Sequence, residues 1–490
     1  VYGSKNNRIK LKERKFIELF NLAEIFFRND PISYDVEEQS TYYKSNVYSV
    51  PLRLISNQVS FRKRFPYACE QSFMMFCEIE KNESIKLLRE TKFDFNKEFE
   101  RLSNITIIDF LTTFFKLRNG IRADKKLYIK LVLQISADRK KIIETFNSLN
   151  NLGLVNKDEL SIYNLNPLFT FPIIYLDNIS NLKKIDDNFH TRIIIPFGSL
   201  CDRRISSLGI YHFMLSNLET KELRDNFLNF FGKIFETYIG KLLNNCVNDK
   251  NNIKTEEYIK SILKKEGRKI PDFLIIENES LFLIEIKTKK LALDTKKSGY
   301  EDLIEKDLKT LSEGVFKMFD FNLSIFYDKL DELKEFQNFK NVFSILIIHE
   351  TFHFEEIIDG IIIKDGEKEI RNIETKVYSN IVQDAFFKEI NDQVKDLINK
   401  NYKGKKTYFD KVEEIFEQFK WIIISSDQIE DYQPYFNNSF NFSSLFKLRK
   451  NQSHGQIIDN LKKINEKVEV EIKSVLKLKK LELKKEFGIK

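Results

Sequence analysis

Two oily segments constrain this chain more than anything else in it. They are Phe273-Leu274-Ile275-Ile276 and Leu281-Phe282-Leu283-Ile284-Glu285-Ile286, with Glu277-Asn278-Glu279-Ser280 between them. Their length and β-branched and aromatic content predict two strands joined by a tight polar turn. Apolar residues stand at both parities, so neither face of the pair can meet water. Strands dry on both faces need cover on both sides, which predicts an α/β layered domain rather than a surface hairpin.

The charges of this hairpin gather at one end. If Asn278-Glu279 is a two-residue turn, Glu277 faces Ser280, Ile276 faces Leu281 and Asp272 faces Glu285. Directly opposed residues place their Cβ atoms about 4.5–5.5 Å apart, close enough for two carboxylates to hold one divalent cation. Glu285 and Lys287 are two apart and share a strand face. The Glu-x-Lys triplet alone means little in a chain this rich in both residues. Glu471-Ile472-Lys473 repeats it in a charge-laden helical stretch with no Pro-Asp before it, and there it reads as a solvated face. At 285–287 the signal is the conjunction with Pro271-Asp272 and with buried strands.

Pro271-Asp272, twelve residues, then Glu285-Ile286-Lys287 resembles the PD-(D/E)xK nuclease superfamily and its restriction-endonuclease-like fold. The resemblance covers roughly residues 220–435. It implies an α/β/α core with a central mixed sheet and a strand–helix–strand continuation, for which 341–348 and 421–426 supply apolar strands. It also implies a further acid on the helix before the hairpin, where Glu236 stands. By the same resemblance, Asp272, Glu285, the backbone carbonyl of Ile286 and Glu236 would hold Mg²⁺, with Mn²⁺ as substitute. Both are hard ions that prefer oxygen donors. Lys287 would position or deprotonate the attacking water, so the implied activity is that of a Mg-dependent endonuclease.

The 490 residues imply two or three domains, and a 42% hydrophobic content is ample for their cores. The N-terminal part, 1–215, reads as a mainly helical recognition or sensor region, 216–435 as the nuclease domain, and 436–490 as a basic amphipathic C-terminal helix. Within the first part, 105–170 is similar to a winged helix. Helical stretches near 105–118 and 125–134 precede a third helix, capped by Ser136 or Asp138 and ended by Gly153. In that arrangement Arg139, Lys140 and Asn147 would face the DNA major groove. Lys289, Lys290 and Lys317, which follow the hairpin, are further candidates for phosphate contacts. Lys309, on the same charged helix near 301–319, could also reach a phosphate, although both it and Lys317 read first as solvated.

A net charge of +7 permits nucleic-acid binding without demanding it. No apolar run approaches a membrane span. Four scattered cysteines, without metal spacing, read as reduced thiols of a cytoplasmic protein. The expected partner is nucleic acid, foremost double-stranded DNA, in a prokaryotic or mobile-element setting of antiviral defence. A homodimer and a regulatory partner protein are natural companions of such an activity. The rivals are an RNase on the same fold and a nucleic-acid-binding regulatory or assembly factor with a weakly active or inactive nuclease core.

Overall fold

Phenylalanine-rich helices build the first of two units, formed by residues 1–234 and 479–490. The computed structural model describes residues 67–119, 123–138, 173–175, 193–194, 204–263, 269–288, 301–326, 330–349, 419–436 and 441–449, together with 202, 392–393, 457 and 485. Helix α1 (Tyr67–Phe73) continues through a π-helical stretch, Met74–Ile79, into α2 (Glu80–Thr91). Three helices follow: α3 (Phe95–Ser103), α4 (Ile107–Arg118) and α5 (Lys125–Ile135). Local chemistry sets their ends. Asp94 and Thr106 accept the N–H groups of Lys97 and Asp109 at 3.0 and 3.2 Å, and Asn104 turns into the left-handed region to end α3. Phe76 stacks on Phe95 at 4.7 Å and Phe95 on Phe230 at 5.3 Å, so aromatic rings supply much of this core.

Helices α4 and α5 match the first two helices expected of a winged helix. Ser136, however, does not cap a third. It opens β1 (Ser136–Asp138), which pairs in parallel with β2 (Ile173–Tyr175), itself antiparallel to β3 (Ile193–Ile194). Ladder hydrogen bonds to the Ile-Ile-Tyr strand satisfy backbone groups that a cap would have served, and capping propensity yields to that pairing. Arg139, Lys140 and Asn147 lie outside the described residues, as does the stretch 139–170 in which the third helix is expected. Helix α6 (Ser207–Asn217) precedes α7 (Lys221–Cys246), whose first part belongs to this unit and whose remainder belongs to the next.

The second unit, 235–478, carries the hairpin. Its elements after α7 are β4 (Ile253–Thr255), α8 (Glu256–Ile262), β5 (Phe273–Glu277), β6 (Ser280–Lys287), α9 (Glu301–Phe326), β7 (Asn341–Ile348), β8 (Trp421–Ser425), α10 (Ser426–Tyr432) and α11 (Phe442–Arg449). They form a five-stranded mixed sheet in the order β4-β5-β6-β7-β8. The first two pairings are antiparallel, and β6, β7 and β8 run parallel. The hairpin register is the one the sequence predicts, with Glu277 opposite Ser280, Ile276 opposite Leu281 and Phe273 opposite Ile284. Asn278 makes the turn at φ 53°, a left-handed conformation that asparagine tolerates.

Helices cover both faces of the sheet, as dry strands require. A Cβ added to Gly240 of α7 would stand 3.0 Å from the Phe273 ring. On the opposite face, a Cβ at Gly314 of α9 would meet Leu346, Lys287 and Glu285. Along the sheet, α10 begins with a reciprocal capping box between Ser425 and Gln428. Helix α11 is anchored by Glu277, whose carboxylate accepts from the Phe442 and Ser443 N–H groups and the Ser443 hydroxyl. Lys289, Lys290, Glu471 and nearly all of the predicted C-terminal helix fall outside the described residues. Of that helix only Ile457, helical and buried, and Lys485, helical and exposed, are described. No described helix is long and apolar enough to cross a membrane.

Candidate active site

The antiparallel ladder of the hairpin stops at Phe273, and the next residue toward the N-terminus takes over with its side chain. Asp272 Oδ2 accepts the Ile286 N–H at 2.7 Å, while the Asp272 carbonyl accepts the Glu256 N–H at 2.9 Å. The aspartate is thereby fixed between β6 and the start of α8. Its remaining oxygen, Oδ1, faces the position across the hairpin, which is Glu285.

Glu285 is wholly buried. Its Oε1 accepts from Lys287 Nζ at 2.8 Å and from Lys317 Nζ at 3.0 Å. Lys317 Nζ also reaches Asp272 Oδ1 at 3.2 Å, so one ammonium bridges the two acids. Glu285 Oε2 approaches Lys317 Nζ to 2.8 Å, yet among the described residues no donor gives it a hydrogen bond. Two carboxylates and two lysines thus share one end of the sheet, under the α9 backbone at Gly314.

Burial, foremost, and then the Asp272 charge push the Glu285 carboxyl up to about 7, although Lys287 and Lys317 pull the other way. For Lys317, burial works against the charged form. Glu285 and Asp272 together outweigh it and hold the ammonium above its ordinary value. A buried acid titrating near neutrality beside lysines is the kind of group that functional sites collect.

Asp272, Glu285, Ile286 and Lys287 are therefore brought together as the sequence predicts. Glu236 is half-buried on α7, one turn before Gly240 and on the same helix face. Among the described residues no group of three His, Cys, Asp or Glu side chains is placed to hold a metal ion. Glu236 accordingly does not complete a ring with Asp272 and Glu285. The donor set for a cation among the described side chains is then two carboxylates, both already met by the Lys317 ammonium. That set suits Mg²⁺, which is commonly held by one or two carboxylates and keeps several waters.

Lys317 is the member that sequence reasoning placed elsewhere, as a phosphate contact. Its side chain is only 20% exposed and it is spent on the two acids. A signal for this does exist. Leu311, Met318 and Phe321 are buried, and Gly314 falls between them at helical spacing. Lys317 stands three residues after Gly314 and four before Phe321, inside the apolar stripe of α9 and not on its wet face.

Comparison of the chain with protein-family models, with curated proteins and with solved structures returns no match.

Proposed function

We propose that the chain is a metal-dependent nuclease that hydrolyses phosphodiester bonds, with DNA as its substrate, on a restriction-endonuclease-like core. One observation carries this reading. Asp272, Glu285 and Lys287 meet at the end of a buried hairpin whose second strand continues into parallel neighbours, with a helix on each face. Fold analogy alone would not be enough, because function resides in the site.

Asp272 and Glu285 would hold Mg²⁺ together with the Ile286 carbonyl, and Glu236 would reach the ion's water shell. When bound, such an ion lowers the pKa of water and polarises phosphate oxygen. The chain's own residues do the rest. The Ile286 N–H keeps Asp272 in one orientation. Lys287, held 2.8 Å from Glu285 Oε1, stands ready to orient the attacking water and to offset charge that develops on the phosphate. Burial of Glu285 keeps bulk water from the carboxylate, so each interaction there acts in a low dielectric.

A second reading has an observation behind it. A lysine bridge between two acids also suits a nucleic-acid-binding regulatory factor whose core is weakly active or inactive. One assay separates the readings: incubation of plasmid DNA and of structured RNA with Mg²⁺, with and without EDTA. The nuclease reading expects EDTA-sensitive cleavage of DNA. It further expects Asp272→Ala and Lys287→Ala each to lower the rate by about 10²-fold or more. Cleavage of RNA alone would move the substrate to the RNase alternative. Full cleavage by Asp272→Ala, or none by the native protein, would overturn the assignment.

A further inference from the structure

The two lysines of the site are not equivalent. Lys287 comes from the hairpin itself and touches Glu285 alone among the two acids, at Oε1. Lys317 comes from α9 on the covering layer, and its Nζ lies 3.2 Å from Asp272 Oδ1, 3.0 Å from Glu285 Oε1 and 2.8 Å from Glu285 Oε2. Three oxygens of two carboxylates converge on one point, and an ammonium occupies it. A divalent cation shared by the same acids would need that same point.

We propose that Lys317 is a resident counter-cation of the acid pair, standing where the divalent cation binds and yielding to it, so that α9 tunes the metal affinity of the site. This rests on the nuclease reading above. The physical case has three parts. Glu285 is wholly buried and Asp272 largely so, and when both are ionised two carboxylates in such a place need a cation. Lysine suits a removable occupant, being a compact charge on a flexible four-carbon stem, whereas the fork of an arginine would grip bidentately. Gly314, one turn away on α9, lets the helix backbone come close enough for a lysine stem to reach the pair. Once displaced, the ammonium remains on the same rim and is free to meet a phosphate oxygen. Two cations cannot share so small a space, so metal entry and lysine exit are one event.

The test is Mn²⁺ binding at pH 8, read by electron paramagnetic resonance of the free ion on the full chain. The proteins are the native chain, Lys317→Met, Lys317→Gln, Asp272→Asn and the double variant Lys317→Met with Asp272→Asn. Lys317→Met and Lys317→Gln both remove the competing charge, and each is expected to bind Mn²⁺ on the order of tenfold tighter or more. Adding Asp272→Asn should erase that gain. Native affinity that needs Asp272 but is unchanged or weaker in both Lys317 variants overturns the counter-cation role and leaves the metal site standing. Binding unaffected by Asp272→Asn, or no binding by any of these proteins, overturns the metal site and the inference with it. A Lys317→Met variant that melts early is replaced by Lys317→Gln, whose polar end solvates the exposed rim.

Discussion

Gly314→Ala puts the packing of the site to a direct test, because two known effects oppose each other there. In an ordinary helix interior alanine is more favourable than glycine by about 1 kcal/mol. At Gly314 the added Cβ would lie 2.9 Å from Leu346 Cδ1, 3.2 Å from Lys287 Cε and 3.4 Å from Glu285 Cγ. The lysine end can swing away. Leu346 is wholly buried in β7, so its methyl moves only at the expense of core packing. Forcing an extra methyl into a packed core costs about 1–3 kcal/mol, so the balance for Gly314→Ala runs from about zero to 2 kcal/mol of destabilisation. Gly314→Val, with two further methyls and a stiff χ1, should exceed that.

The chain offers a convenient probe. Its one tryptophan, Trp421, opens β8 in the same sheet, opposite Ser344 of β7. Tryptophan fluorescence in urea therefore follows the unit that holds the site, which avoids assigning one unfolding energy to a two-unit chain. With a urea slope of about 1–3 kcal/mol per molar, a loss of 2 kcal/mol lowers the midpoint by about 1 M. A midpoint that rises in Gly314→Ala by the full helix-propensity gain would show that α9 does not press on the sheet at Gly314. The explanation of how Lys317 reaches the acids would fall with it.

Three further outcomes are expected. Folded Glu285 keeps its proton up to about 7, whereas an unfolded glutamate releases it near 4.5, so stability drawn from the neutral carboxyl is complete below 4.5 and is lost as the pH rises through 7. The difference amounts to about 3 kcal/mol, and Glu285→Gln should flatten this slope in Trp421-monitored melts between pH 5 and 8; an unchanged slope would assign it to other groups. Glu277→Ala strips three donors at the start of α11 of their acceptor and should lower the Trp421 midpoint by the equivalent of about 1–3 kcal/mol, while a neutral result would mean that water replaces the carboxylate without loss. In the first unit, burial pushes Arg204 down to about 10, and its guanidinium lies 5.0 Å over the Phe213 ring in a pocket shared with Phe99, Phe110 and Ile210, so Arg204→Met should cost less than about 2 kcal/mol by circular-dichroism melting; a larger loss would reveal an anionic partner.

The hairpin was legible in the sequence because strand parity and turn length leave few choices. A register slip by one residue would have turned Asp272 and Glu285 to opposite faces, and apolar residues at both parities demanded cover on both sides. Strands β7 and β8 were legible for the same reason, as short runs of Ile and Val bounded by polar residues. Of the two candidate caps, Ser136 is taken by a strand, because capping propensity is local whereas its partner strand stands at Ile173–Tyr175, far along the chain; Asp138 is followed by residues outside those described. The pairing of Lys317 with the two acids is hidden for a related reason. No local rule says that a lysine three residues past a glycine will find two carboxylates on a sheet below it, although its place in an apolar stripe hinted at burial.

The charge count of the cluster bears on what it is for. With both acids ionised, two acids and two lysines sum to zero, which makes the site tolerable at the end of an apolar sheet. Neutrality does not make it a stabilising device. Buried ion pairs commonly add less than well-packed hydrophobic residues of the same volume, so structural need alone would favour leucines at 272, 285 and 317. Burial and Asp272 also leave Glu285 raised to about 7 in spite of two lysines beside it, so the lysines do not fully offset the cost of ionising it. The Lys317 ammonium lies within 3.0 Å of both oxygens of that carboxylate. Two carboxylates that share an ammonium on a flexible stem are better suited to exchange one cation for another.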